Sequence, residues 1–297
     1  MCDAMSIVPS KIAIVTGASS GIGKEAARGL IARGYHVHAA ARRVSEMDDL
    51  KALGASVHFL DLTDPAGTEA FMAAVLAETP RIDALVNNAG YGTYGAIEDV
   101  PPAAARAQME VNLFGLARLI QLTLPAMRAR RSGRIVNVSS IGGKIWSPLG
   151  GWYHASKFAV EGLSDCLRNE VRPFGIDVIV VQPGGTKTEW TGIAIEAMRA
   201  TSGNGPYAPI VAGAANLFNA DMGAATAKEV ANVIVHALVV RRPKARYTTP
   251  AAAKVILAAR RLLNDASFDW LWTRLFRIPR VLPEPSEARS AAPLSTR

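Results

Sequence analysis

Tyr153-His154-Ala155-Ser156-Lys157 places a phenol and an amine four residues apart. On a helix that spacing sets both on one face, about a turn from each other. A phenol alone is a poor acid or base near neutrality, because its reference pKa is about 10. A neighbouring ammonium favours the phenolate and pulls that pKa toward the working pH. The pair is therefore a candidate proton-transfer device, with Ser139 and Ser140 upstream as competing hydroxyl partners. Alone, such a pair is usually just a solvated helix face, so the elements around it must decide.

The chain opens with an apolar run, Ile12-Ala13-Ile14-Val15, which reads as a buried strand. Gly17-Ala18-Ser19-Ser20-Gly21-Ile22-Gly23 follows, then a helical stretch to about Arg33 that Gly34 stops. Strand, glycine turn and helix form the start of a dinucleotide-binding unit. The glycines admit a pyrophosphate to the backbone, and the helix N-terminus offers free amides and a positive dipole end. Gly17, Ser19, Ser20, Gly21, Ile22 and Gly23 are the cofactor-binding candidates here. The second strand runs from about Val37 to Ala40. An acid near its end would hold the ribose 2′-hydroxyl of NAD; Ala41-Arg42-Arg43 stands there instead. Two cations and no carboxylate suit a 2′-phosphate and favour NADP(H) over NAD(H).

Further strands are expected at Val57–Leu60, Ala84–Val86, Arg134–Val138 and Asp177–Val181, with Arg246-Tyr247-Thr248 as a last one. Helices are expected from Thr63 or Asp64 to about Glu78, from Pro101 or Pro102 through Asn112, through Tyr153 to about Val171, and from the capping-box start Thr226-x-x-Glu229. Alternating strands and helices imply an α/β fold with a doubly wound parallel sheet, whose ligands sit at the carboxyl ends of the strands. Residues 188–226 break the alternation. Trp190, Ile193, Met198, Tyr207, Leu217 and Phe218 are strewn among glycines and prolines, which reads as an irregular substrate lid. The expected organisation is a dinucleotide-binding domain over residues 1–250 including that lid, a helical extension over 251–282, and a disordered Pro-, Ser- and Ala-rich tail over 283–297.

Nearly half of the 297 residues are hydrophobic, enough for a large core. Cys2 and Cys166 make no disulfide framework and no metal-ligand spacing, and the five histidines are scattered. No signal peptide is read at Met1-Cys2-Asp3-Ala4-Met5, and a reducing, cytoplasmic setting fits. The net charge of +8 lies wholly in residues 241–297, with 12 basic and 4 acidic residues; residues 1–240 carry 21 of each. That argues against a nucleic-acid-binding core. Residues 251–276 read as one or two amphipathic helices, either packed on the pocket or a second subunit, or lying on a membrane surface as a peripheral contact.

Together these pieces resemble the short-chain dehydrogenase/reductase family in its single-domain form. The matching residues are Thr16-Gly17-x-x-x-Gly21-x-Gly23, Asn87-Asn88-Ala89-Gly90, Asn112, Ser140, Tyr153-x-x-x-Lys157 and Pro183-Gly184. The resemblance implies a seven-stranded Rossmann-type sheet and interconversion of a carbonyl and an alcohol with a nicotinamide cofactor. It implies Tyr153 as acid/base and Ser140 as the hydrogen-bond donor to the reacting oxygen. Lys157 would lower the phenol pKa and hold the ribose, and Asn112 would hold a water in a proton relay. It further places Asn88, Ala89 and Gly90 at the cofactor ribose, and Asp61 and Leu62 at the adenine, although Asp61 is equally placed to cap the following turn. Ser19, Arg42 and Arg43 would meet the 2′-phosphate, and Pro183, Gly184, Thr186 and Thr188 the nicotinamide end. A homodimer or homotetramer is the expected assembly. The apolar residues flanking these positions are Tyr91, Tyr94, Ile141, Trp146, Leu149, Trp152 and Trp190, which suit a hydrophobic small-molecule carbonyl or alcohol of steroid, retinoid or fatty type. Two rivals stand beside this reading: a non-catalytic dinucleotide sensor, and a nucleotide-sugar epimerase or dehydratase of a related fold.

Overall fold

Alternate residues of the first strand feed two separate cores. Ala13 and Val15 pack on one face of the sheet with Leu30 and Ile234, whereas Ile14 packs on the other with Phe71, Leu119 and Val160. This is the period of two that a strand buried on both faces requires. The computed structural model describes residues 11–187, 189–220 and 223–279. The readings made for the N-terminus, Thr188 and the tail from Pro283 lie outside them.

The order along the chain is β1 (Lys11–Thr16), α1 (Gly21–Ile31), β2 (Tyr35–Ala41), α2 (Asp48–Ala52), β3 (Ser56–Phe59), α3 (Pro65–Glu78), β4 (Ala84–Asn87), α4 (Pro102–Met109), α5 (Leu116–Ala129), β5 (Gly133–Val138), α6 (Gly151–Val171) and β6 (Ile176–Pro183). Then come β7 (Thr186–Lys187), α7 (Glu189–Ser202), α8 (Ala208–Asn219), β8 (Ala225–Thr226), α9 (Ala227–Val239), β9 (Arg246–Thr249), α10 (Ala251–Leu262) and α11 (Asp265–Leu275). Seven strands make one sheet in the order β3-β2-β1-β4-β5-β6-β9, every pair parallel, and β7 and β8 form a small ladder of their own. The strand order reverses between β1 and β4, and the crevice at their carboxyl ends is where such a sheet receives a ligand.

The capping box at the start of α9 is present: Thr226 Oγ1 accepts from the Glu229 amide at 3.2 Å, and the Glu229 carboxylate accepts from the Thr226 amide at 2.6 Å. Between α4 and α5 the helix widens by one residue over Glu110–Gly115. Such a wide turn re-aims a side chain without ending the helix, and here it turns Asn112 inward.

The described part of the segment expected to be irregular, residues 189–220, is helical. It forms α7 and α8, a helix pair joined by a short turn at residues 203–207. Ala194, Ile195 and Met198 are the buried stripe of α7, a helical spacing that the intervening small residues obscure. Pro209 stands in the first turn of α8, where its missing amide donor costs nothing. The C-terminal segment is two helices, α10 and α11. Phe268 and Phe276 are buried, and Phe276, Trp272 and Ile278 join one apolar cluster with residues of α7 and α8. Val255, Leu262 and Trp270 stay exposed on the outer side. Among the described residues no helix is long and apolar enough to cross a membrane.

Candidate active site

Helix α6 brings Tyr153 and Lys157 to the carboxyl edge of the sheet, one turn apart. Both are buried. Lys157 Nζ donates to the Val138 carbonyl at the end of β5 at 2.9 Å and lies 5.9 Å from the Tyr153 ring centroid. Ser140 stands just beyond β5. Its hydroxyl accepts from the Gly142 amide at 3.0 Å, donates to the Pro183 carbonyl at 3.4 Å, and shares a hydrogen bond with the Tyr153 phenol. Ser139 instead turns its hydroxyl to the Ser140 carbonyl at 3.5 Å, so the structure brings Ser140 to the phenol.

The electrostatics differ from the sequence expectation. Burial pushes the Tyr153 phenol up to about 12, against a downward pull from the Ser140 hydrogen bond. Burial brings the Lys157 amine down to about 8, opposed by the charge of Glu161. Both shifts have one cause, loss of water around groups that must carry charge. The phenol is thus held neutral.

Asn112 is fastened from three sides. Its amide donates to the Tyr91 carbonyl at 2.9 Å and to Ser156 Oγ at 3.0 Å, and its oxygen accepts from the Tyr91 amide at 3.0 Å. A Cβ on Gly90 would stand 3.1 Å from Asn112 Oδ1 and 3.5 Å from Lys157 Nζ. Gly90 therefore leaves the space between these two groups open.

Two contributors escape the sequence analysis. His154 shares hydrogen bonds with the Gly142 carbonyl at 2.9 Å and the Ser147 amide at 3.0 Å, tying the loop after Ser140 to α6. Glu161 is buried one turn beyond Lys157. It accepts from Gln182 at 2.9 Å and from Arg246 at 2.9 Å, with Lys144 at 3.3 Å. The four-residue step from Lys157 is the only signal for Glu161 in the sequence.

At the glycine turn, Gly17 and Gly21 have φ of +66° and +54°, a conformation that favours glycine. Gly23 packs so closely that a Cβ there would lie 2.3 Å from the Gly17 carbonyl oxygen. The Asn88 side chain donates to the Thr16 and Gly17 carbonyls at 3.0 and 3.3 Å, and the Asn88 and Ala89 amides both donate to Thr16 Oγ1 at 3.1 Å. Asn88 thus braces the turn, rather than reaching outward with its side chain. Ser20 gives α1 no side-chain cap, and the first turn holds no acid. The positive helix end is left for an anion. Ser19 is buried in the turn and Ile22 packs on the core.

Arg43, at the end of β2, donates to Ser20 Oγ at 3.1 Å. Arg42 acts on Asp61 and on Tyr91. Asp61 does cap its turn, accepting from the Thr63 amide at 2.9 Å and hydroxyl at 2.8 Å. Burial works to raise its pKa, but those bonds and Arg42 hold it below the ordinary value. Leu62 is buried beside Gly115. Gly184 donates to the Thr249 carbonyl at 2.7 Å, and Thr186 Oγ1 donates to the Gly184 carbonyl at 3.1 Å. Glycine cradle, uncapped helix end, basic strand end and the open position at Gly90 together fit a bound dinucleotide.

The aromatic candidates divide. Tyr94 and Trp190 lie 5.6 and 5.4 Å from the Tyr153 ring, with Leu149 in the same cluster and Phe218 against Tyr94 at 5.8 Å. Tyr91 faces Arg42 and Asp61 instead. Trp146 is taken up by the C-terminal helices. Its Nε1 donates to Asp269 at 2.9 Å, its ring meets Phe268 at 5.2 Å, and the Arg260 guanidinium lies over it at 4.5 Å. Ile141 and Trp152 are half-buried outside the cluster around Tyr153.

Comparison with known proteins bears on the same residues. The short chain dehydrogenase family model matches residues 11–198. The probable short-chain type dehydrogenase/reductase VdlC of Helicobacter pylori is 34% identical over 262 residues, covering 88% of this chain and 96% of its own. The 3-ketodihydrosphingosine reductase of Bacteroides thetaiotaomicron is 41% identical over 182 residues, 61% of this chain and 66% of its own. The crystal structure of a short-chain dehydrogenase from Streptomyces avermitilis superposes with a TM-score of 0.76 at 33% identity, covering 92% of this chain and 99% of that one. Of two further similar structures, a metagenomic short-chain oxidoreductase (28% identical, TM-score 0.65, 80% of this chain and 96% of that one) is in complex with NADP. The other, from Burkholderia phymatum (26% identical, TM-score 0.70, 85% and 92%), is in complex with NAD. The chain belongs to the short-chain dehydrogenase/reductase family: it is an oxidoreductase that binds a nicotinamide dinucleotide.

Proposed function

We propose that this chain reduces a hydrophobic ketone with NADPH, using Tyr153 as the proton donor. One observation carries the reading: a neutral phenol, hydrogen-bonded to Ser140, lies against the aromatic cluster of Tyr94 and Trp190. Ser140 and Tyr153 converge where a carbonyl oxygen would sit, and their hydrogen bonds strengthen as that oxygen gains charge. A bound nicotinamide supplies the hydride that reaches the carbonyl carbon. Tyr153 transfers its proton to the oxygen, and the Lys157 ammonium offsets the negative charge left on the phenol. Asn112 keeps the Tyr91 segment in place beside Lys157. Tyr153 retains only 9% of its surface because neighbouring rings cover it. Trp190, at the start of α7, is one of the rings that cover it.

An apolar wall favours a substrate of low polarity, and the relative named for reducing 3-ketodihydrosphingosine supports the ketone direction. A panel of ketones with NADPH tests this. Long-chain or polycyclic ketones are expected to show kcat/KM at least a hundredfold above small polar ones. Turnover confined to small polar carbonyls would sink the proposal.

The cofactor preference has its own test. Arg43 beside Ser20, and Arg42 with it at the end of β2, support a 2′-phosphate site at the glycine turn. Fluorescence titration is expected to show NADPH bound at least tenfold more tightly than NADH, about 1.4 kcal/mol. The preference should shrink in Arg42→Ala and Arg43→Ala. Equal binding of both dinucleotides by the wild type would turn the reading to NAD and alcohol oxidation.

A further inference from the structure

Three of the five histidines that look scattered in the sequence, His36, His38 and His58, meet at the edge of the sheet. Residues two apart in a strand share a face, so His36 and His38 stand together on β2. His38 is paired with Ser56 and Ala40 with His58, which puts Ser56 and His58 on the same face of β3. The last turn of α3 covers that face and contributes Glu78. His38 Nδ1 lies 3.0 Å from His58 Nε2 and 4.0 Å from the Glu78 carboxylate. Ligand atoms of His36, His38 and Glu78 all lie within 4.8 Å of one another. His36 Nε2 shares a 3.0 Å hydrogen bond with Ser56 Oγ, which fixes its ring.

The nitrogen of His38 that faces both His58 and Glu78 is Nδ1, so an ion held by the cluster would sit there. His38 is fully buried, yet its Nε2 has no hydrogen-bond partner. The charged groups acting on His38 are His58 and His36 from the two strands and Glu78 from α3; among the described residues no Lys or Arg acts on it. Three donors, those of His36, His38 and Glu78, lie within 4.8 Å of one another, and His58 Nε2, 3.0 Å from His38 Nδ1, is placed to be the fourth about a tetrahedral ion.

We propose that His36, His38, His58 and Glu78 form a binding site for a divalent transition-metal ion of the zinc type, which clasps β2 and β3 to α3. Imidazole with carboxylate is a donor set suited to zinc, cobalt or nickel rather than to magnesium or calcium. Four protein ligands leave no open position for substrate, so the ion is structural. Glu78 is about half exposed and gives the ion its way in. The cluster lies upstream of Arg42 on β2, apart from the catalytic residues, so the site is independent of the proposed reaction.

The test is titration of the untagged, metal-free full chain with Co2+ by visible absorption and with Zn2+ by calorimetry. One ion per chain is expected, with a rise in unfolding temperature. Glu78→Gln and His58→Gln are each expected to weaken binding at least tenfold, with NADPH binding unchanged. Glu78 is at the surface, so its variant keeps the fold and decides the matter if His58→Gln is unstable. Absence of stoichiometric binding, or binding that Glu78→Gln leaves unchanged, overturns the proposal.

Discussion

Tyr153→Phe is expected to lower kcat for ketone reduction by about a thousandfold, within the range lost with a general acid. The change removes one oxygen. The ring contacts at 5.6 Å to Tyr94 and 5.4 Å to Trp190 remain, so the fold and NADPH affinity should hold. The pH dependence follows from the same geometry. Lys157 carries its charge below about 8, and Tyr153 keeps its proton up to about 12. Reduction should therefore be flat at lower pH and fall as pH rises through about 8, when the ammonium that offsets the nascent phenolate is lost. In Lys157→Met that step should disappear together with most of the activity. Steady-state rates across pH, with NADPH titration as the binding control, check both statements. If Tyr153→Phe retained a tenth of wild-type kcat, the proton donor would have to be sought elsewhere.

Gly23→Ala is expected to weaken NADPH binding about a hundredfold or more, roughly 2.7 kcal/mol, and to lower the unfolding temperature. The added Cβ would stand 2.3 Å from the Gly17 carbonyl oxygen and 2.4 Å from Asn88 Nδ2. Asn88 can swing away only by giving up its bonds to the Thr16 and Gly17 carbonyls. The Gly17 oxygen can move only by turning a peptide already at φ +66°. Either response deforms the turn that must follow a pyrophosphate. Gly34→Ala is the control. Gly34 has φ +78°, with open space where its Cβ would go. That variant should lose on the order of 1 kcal/mol of stability with cofactor affinity unchanged. Normal NADPH binding by Gly23→Ala would show that this turn is not the cofactor's cradle.

Much of the frame is legible without coordinates. Ile12 to Val15 is a short β-branched run before a glycine turn, and local sterics leave it few alternatives. The Thr226-x-x-Glu229 start is a local hydrogen-bond pattern, and it forms as read. The α7–α8 segment reads as irregular because glycines and prolines look like breakers wherever they occur. Pro209 is in fact in a first helical turn, and Gly203 lies just after the end of α7.

What the sequence determined by itself were the features set by near neighbours: strand and helix periods, glycines where φ is positive, and the single helical turn between Tyr153 and Lys157. Tertiary structure alone decided what depends on packing between distant segments. It chose Ser140 over Ser139, put Arg43 rather than Arg42 on Ser20, and gave Trp146 to α11 and Trp190 to Tyr153. It also set the charge states. Removing water moves a phenol and an amine in opposite directions, and sequence spacing does not report how much water is removed. The histidines make the same point. His38 and His58 are twenty residues apart, and only the pairing of β2 with β3 places their nitrogens 3.0 Å from each other.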